Sequence, residues 1–180
     1  MSTKIAAMIL MVLTAVCGCA ATAATGGEKD VRDAAVRVFQ NLKDHRYEEL
    51  YDSLPMSSRQ RTTKERFVSA LRRSEQFYKL DRLEIGAVRV SGDLAVADTS
   101  MYGHVYQPLD SDGKIVAQQY MVKENGAWKV ATGDRGLIQR FLSQNPEFAK
   151  KFPVRNPKIY IERDGQWLDV SALAGQRRRG

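Results

Sequence analysis

The chain has 180 residues, of which 43% are hydrophobic and 27% charged, with a formal net charge of +7. That length suits one domain with a targeting segment, and it is enough to bury a core without disulfide or metal staples. The composition excludes a disordered or fibrous chain; the positive balance fits a basic surface and tail, with anionic lipid heads or acidic polymers as the alternative class of partner.

Residues 1–18 read as a targeting segment. Lys4 supplies a positive start, and residues 5–16 (IAAMILMVLTAV) form an apolar run of twelve. A helix that short does not comfortably span about 30 Å of hydrocarbon, and it suits a secretory signal. No later stretch is long and apolar enough to cross a membrane. The only cysteines are Cys17 and Cys19, so the remainder can be neither a disulfide scaffold nor a thiolate metal site. The run Val16-Cys17-Gly18-Cys19-Ala20 resembles a bacterial lipobox. That resemblance implies cleavage before Cys19 and a diacylglyceryl group on its sulfur, which makes the membrane a partner through a lipid anchor. Two or more acyl chains give stable anchoring where one does not. The alternative is cleavage after Ala21-Thr22-Ala23, which would release a soluble protein. Ala20 resembles the sorting residue of outer-membrane lipoproteins in double-membraned bacteria. Residues 19–28 read as a flexible tether.

Residues 30–43 have helical period, with Val31, Ala34, Ala35, Val38 and Leu42 on one stripe. A second helix is expected over 47–54, ended by Pro55. A third begins at a capping box of Thr62 and Glu65, with Phe67, Ala70, Leu71 and Ser74 inward. The period then changes to two. Residues 81–106 read as two long strands joined at Ser91-Gly92-Asp93, with Val90 and Val88 facing Leu94 and Val96. Leu83 and Ile85 share one parity and Val88 and Val90 the other, and a slip of this kind at Gly86 predicts a β-bulge and a curved sheet.

Residues 108–113 (PLDSDG) read as a polar loop, and residues 114–123 as a third strand. Asn125-Gly126 is a strong hairpin signal leading into residues 128–132, with Met121 opposite Val130 and Lys123 opposite Trp128. Residues 137–143 are amphipathic. Asn145-Pro146-Glu147 opens a short helix ending near Phe152-Pro153. Residues 158–170 form a hairpin turned at Asp164-Gly165, with Tyr160 and Trp167 on one face. Such a hairpin is marginal alone and must dock on the main body or a partner.

Helices followed by a curved antiparallel meander, with the runs VRVSGDLAVADTSMYGHV and YMVKENGAWKVAT, resemble the nuclear transport factor 2-like superfamily, a cone-shaped α+β fold. The resemblance covers residues 29–133. The expected organisation is a signal over 1–18, a tether over 19–28, the α+β domain over 29–133, an appended helix and hairpin over 134–173, and a basic tail over 174–180. The superfamily hosts enzymes, binders and assembly modules, so the resemblance alone fixes no activity.

The candidate site lies on the second long strand. Asp98, Ser100, Tyr102, His104 and Tyr106 share one face; Ala95, Ala97, Thr99, Met101, Gly103 and Val105 share the other. If the first face lines a pocket beneath the helices, Tyr102, His104 and Tyr106 cradle a ligand. If the other face packs the helices, the same three form an outward strip for a partner. In the third reading they are ordinary half-buried strand residues. Asp98 and His104 lie about 20 Å apart along a strand and cannot form a catalytic pair. His45 reads as a solvated residue at an exposed helix end. Two separated histidines argue against a transition-metal site, and residues 110–113 lack the later glutamate of a calcium loop. No nucleophile elbow, P-loop or dinucleotide fingerprint is present, so no cofactor is expected. Arg72-Arg73 and residues 177–179 read as solvated surface or as sites for lipid head groups; export makes nucleic acid an improbable partner. The expectation is a non-catalytic, lipid-anchored envelope protein that binds a small apolar ligand or a partner protein. The alternatives are an isomerase or hydrolase using a pocket acid/base, and a homodimer formed through the sheet face.

Overall fold

A computed structural model of the chain describes residues 26–107, 110–131 and 135–172. Cys19, the signal and most of the tether therefore lie outside the described residues, as do Pro108, Thr132 and the basic tail. Among the described residues no helix is long and apolar enough to cross a membrane.

Four helices precede the sheet. The first, α1 (Gly26–Lys43), starts four residues before the expected position, so the end of the tether is helical. Glu28 in its first turn and Lys43 in its last complement the helix dipole. Its buried stripe contains Val31, Ala34 and Ala35 as expected, and adds Phe39. Helix α2 (Tyr47–Asp52) is shorter than predicted. Pro55 does not simply end it but precedes a further turn, α3 (Met56–Arg59), because a fixed φ suits a helix entrance. Helix α4 (Lys64–Ser74) is capped by Thr63 rather than Thr62: the Thr63 side chain accepts from the Arg66 amide at 3.3 Å. The cap is thus displaced by one residue, and with Arg66 rather than Glu65 three positions after it the reciprocal half of the predicted capping box is not formed. The inward face shifts with it. Val68 is buried, Phe67 and Leu71 pack beside it, and Ala70 is exposed. Tyr47, Leu50 and Val68 join α2 to α4.

The sheet is antiparallel throughout. Its strands are β1 (Tyr78–Ser91), β2 (Leu94–Val105), β3 (Ser111–Glu124), β4 (Ala127–Val130), β5 (Lys158–Arg163) and β6 (Gln166–Asp169), in the order β1-β2-β3-β5-β6. One edge of β3 serves two strands: Gly113 to Val116 pair with β5, and Met121 to Glu124 pair with β4. The C-terminal hairpin therefore extends the main sheet. Met121 opposes Val130 and Lys123 opposes Trp128, as the turn chemistry predicts, since Asn125 and Gly126 both take positive φ (51° and 79°). The β1–β2 register differs from expectation. The loop has two residues, not three, with Gly92 at φ 60°, so Val90 faces Ala95 and Val88 faces Ala97. Strand β3 begins at Ser111, which shortens the predicted loop.

The bulge predicted near Gly86 is present between Ile85 and Val88, and a second lies between Leu80 and Arg82. A bulge turns backbone carbonyls out of the ladder, and each needs a donor. Helix α1 supplies them. Arg32 donates to the Ile85 and Gly86 carbonyls at 2.9 and 2.7 Å, and Lys43 donates to the Asp81 carbonyl. Beside the second bulge the strands crowd, and a Cβ on Gly103 would collide with the Lys79 carbonyl.

Alanines on both elements bring α1 close to the sheet. Val31, Ala34 and Ala35 pack on Val88, Ala95, Ala97, Met121, Trp128 and Val130. The opposite face at this end is also covered. Helices α5 (Arg135–Ser143) and α6 (Pro146–Lys151) bring Leu142 and Phe148 onto Val96 and Tyr120. Asn145 does not cap α6 through its side chain. Its amide donates instead to the Phe141 carbonyl at 2.7 Å and ties the two helices together. One half of the sheet is thus clad on both faces. The other half carries its outer face open.

Replacing Arg32 by Met is expected to lower stability by about 1–3 kcal/mol, the range for hydrogen bonds from charged donors, and Arg32→Lys to recover only part of it because one ammonium replaces a fork. Urea denaturation of the three proteins measures the difference.

Candidate functional site

The odd-numbered face of β2 packs α1: Ala95, Ala97 and Thr99 are all buried. The Tyr102 and His104 side chains therefore lie on the outer face, away from the helices, and of the two placements considered for them the structure takes the outward strip.

Strand register builds the strip. Tyr102 stands between Arg82 on β1 and Lys114 on β3, and Lys114 stands opposite Tyr160 on β5. These four side chains form one row across four strands. Trp167 on β6, opposite Glu162, closes its end. The Arg82 guanidinium lies 3.6 Å from the centroid of the Tyr102 ring, and Trp167 meets the same ring edge-on at 6.0 Å. The Lys114 ammonium sits 4.7 Å from the Trp167 ring, 4.8 Å from Tyr160 and 5.7 Å from Tyr102, so three aromatic rings surround one cation. At exposed sites such contacts contribute roughly 0.5–1 kcal/mol each. Tyr102 also donates to Glu84 at 2.8 Å, and Arg82 donates to the same carboxylate at 3.3 Å. This hydrogen bond raises the Tyr102 hydroxyl above the usual phenol range. The row fixes rotamers on a surface where long side chains otherwise move freely.

His104 lies one row along. Its Nδ1 is 2.9 Å from Asp112 and its Nε2 is 2.7 Å from Asp110. Carboxylates only accept, so both contacts are hydrogen bonds at once only when both ring nitrogens donate, in the imidazolium form that this setting favours. Asp112 and then Asp110 hold the His104 pKa above its ordinary value. Tyr106 lies just past the end of β2. Its amide donates to the Phe77 carbonyl, its ring is 5.2 Å from His104, and it is 44% exposed.

Asp98 is set apart from these three. Arg89 meets it at 3.1 Å, and Arg155, from the segment between α6 and β5, meets its other oxygen. The Arg155 amide also donates to Gln118 at 2.7 Å. Asp98 therefore clamps the C-terminal extension to the sheet. It does not meet His104, as the strand spacing requires. Arg82, Lys114, Tyr160 and Trp167 were missed as site residues from sequence. The shared face of Tyr160 and Trp167 was the available signal, but only the β3–β5 pairing brings it to Tyr102.

His45 is not simply solvated. Its Nδ1 is 2.8 Å from the Tyr47 hydroxyl and 3.0 Å from Glu75, at the mouth of a cleft of about 310 Å³ between the ends of α1 and α4 and the start of β1. Tyr106 lines the same cleft. A larger groove, about 560 Å³, runs between α2 and α4, but it is walled by paired charges such as Arg72 and Glu48 at 3.1 Å.

An NTF2-like protein from Cytophaga hutchinsonii is similar, with a TM-score of 0.42 and 15% identity over 59% of this chain and 93% of that one. No protein-family model and no curated protein sequence matches the chain.

The imidazolium cluster sets a pH dependence. Because the folded-state pKa is raised, its contribution is fully present below the ordinary imidazole value of about 6.5 and is lost as pH rises through the raised value. A two-dimensional NMR titration should place the His104 midpoint above that of a model imidazole. Asp112→Asn and Asp110→Asn should each lower it, Asp112→Asn by more.

Proposed function

We propose that this chain is an exported, lipid-anchored, non-catalytic binding protein that docks a partner protein of the cell envelope on the open outer face of its sheet. The observation that carries the proposal is the row Arg82–Tyr102–Lys114–Tyr160 with Trp167 at its end. Tyrosine, tryptophan and arginine are the residues that dominate protein interfaces. Here their rotamers are held before any partner arrives, which lowers the entropic cost of docking. The surface follows a sheet face rather than a cavity, so it suits a macromolecule better than a small apolar ligand. Trp167 is 38% exposed and Tyr106 44%, so apolar area remains to be covered.

The non-catalytic part of the proposal rests on where His104 sits. A general base in a pocket gains from exclusion of water and from a partner poised near neutrality. His104 instead stands on an open face between two exposed carboxylates that favour its charged form. The anchor rests on Cys19 and the segment around it, through which two or more acyl chains would hold the domain beside a bilayer. The outer membrane is the favoured location if the source is double-membraned.

A photocrosslinking residue at position 167 in the full chain, expressed in its native host, should give one discrete adduct, and the Tyr102→Ala variant should reduce its yield about tenfold or more. An adduct at twice the chain's own mass would replace the heterologous partner with a second copy. Complete absence of adducts at both 167 and 160 would overturn docking on this face. For the anchor, labelled palmitate should enter the wild-type protein and not Cys19→Ala; label retained by the variant would refute it.

A further inference from the structure

The cleft beside His45 is separate from the docking strip and shares only Tyr106 with its margin. Its construction begins at the end of α1. The Arg46 amide donates to the Asn41 carbonyl at 2.8 Å and the His45 amide reaches the Leu42 carbonyl at 3.4 Å. That is the bond pattern of a Schellman helix end, in which the residue at the left-handed position is usually glycine. Here it is His45, at φ 59°. A side chain at such a position costs on the order of 1 kcal/mol relative to glycine, and an outlier of this kind points to a use for the side chain.

The use is visible in its contacts. Glu75 accepts from both Tyr47 and His45, which holds its carboxyl below the usual range, while burial drives the Tyr47 hydroxyl far above its own. An ionised Glu75 can only accept, so His45 Nδ1 carries the hydrogen that points to it. In the neutral ring that tautomer leaves the lone pair on Nε2. Among the described residues nothing bonds to Nε2. A carboxylate that fixes the tautomer and leaves the other nitrogen as acceptor is an arrangement for receiving a hydrogen bond. The cleft beyond is walled by Leu42, Leu80, Tyr78 and Tyr106, and Asp44 and Lys79 also line it. Lys43, on the same rim, is drawn to the Asp81 carbonyl, and Ser74 and Tyr78 face each other at 3.2 Å. Glu75 is already committed to two donors, and Asp44 is held by Gln40 at 2.9 Å and Arg46 at 3.3 Å, so among the described residues no free carboxylate of the lining waits for a cation.

We propose that this cleft is a second binding site, for a small neutral molecule with an apolar or aromatic body and one hydroxyl, whose O–H donates to His45 Nε2. About 310 Å³ is at the lower end of the range for small-molecule sites and admits a body of one or two rings. The wall supplies apolar and aromatic contact, and Nε2 supplies the single directional bond.

The sequence contains two histidines, so His104 is an internal control. With ¹³C-histidine-labelled full-length protein, phenol is expected to shift the His45 ring signals saturably and leave those of His104 in place. Toluene, which has the shape without the hydroxyl, should bind at least about tenfold more weakly. His45→Gly should abolish phenol binding, measured by equilibrium dialysis, while leaving the thermal midpoint unchanged or higher, because glycine is the residue a Schellman end prefers. Should that variant not fold, His45→Asn, which also tolerates the left-handed region, carries the same expectation. Non-saturating shifts, equal affinity for phenol and toluene, or undiminished phenol binding in the folded variant would each overturn the site.

Discussion

The structure depends on where the carbonyls of β1 find donors. A strand that bulges twice gains the curvature to wrap a helix, but it strands polar backbone groups at each bulge. Arg32, in the N-terminal half of α1, and Lys43, its last residue, reach those two places. The helix therefore does more than cover the sheet; it completes the sheet's hydrogen bonding. Packing and polar satisfaction select the same position for α1, which makes its seat on β1 unique in a way that hydrophobic contact alone does not. The alanines at 34, 35, 95 and 97 follow from this, since larger side chains would hold the helix too far away for the cations to reach.

From that seat the two faces of β2 acquire different tasks. The odd-numbered face is consumed by α1. The even-numbered face is divided along its length. Near the β1–β2 turn, Val96 is buried under α5 and α6. In the middle, Asp98 fastens the returning chain through Arg155. Farther out the same face is open, and there the cations and rings lie in one row. The C-terminal extension creates this row as well as limiting it. Its helices cover one half of the outer face, and its hairpin contributes Tyr160 and Trp167 to the other.

Much of the fold was legible in the chain. Asn125-Gly126 and Asp164-Gly165 specify their turns chemically, and the parity change at Gly86 revealed the first bulge. The second bulge was marked only by Leu80, a single residue out of phase with Leu83, which is too little signal. The β1–β2 register was misread by one because Ser91-Gly92-Asp93 permits loops of two or three residues, and only the backbone at Gly92 decides between them. Glu65 favours Thr62 as the cap in sequence, but the backbone places Thr63 at the helix entrance. Tyr102 and His104 were recognised as candidates, but the face they occupy was not, since β2 carries apolar residues on both. The neighbours that give Tyr102 its setting are out of reach of local reasoning. Lys114 is brought by one hairpin, and Tyr160 and Trp167 by a pairing about forty-five residues along the chain. Glu75 likewise meets His45 only because α1 and α4 end side by side.

The bulges that curve β1 have one more effect. An outermost strand is where sheets of separate molecules fuse, each adding its ladder to the next. Here one boundary is a fourteen-residue strand broken in two places, with Lys79, Arg82, Glu84 and Arg89 along it. The opposite boundaries, β4 and β6, are four residues each. Neither rim offers a long, flat, regular template, so strand-by-strand polymerisation is discouraged on both sides, and a molecule crowded against its own copies meets them through side chains rather than through the backbone.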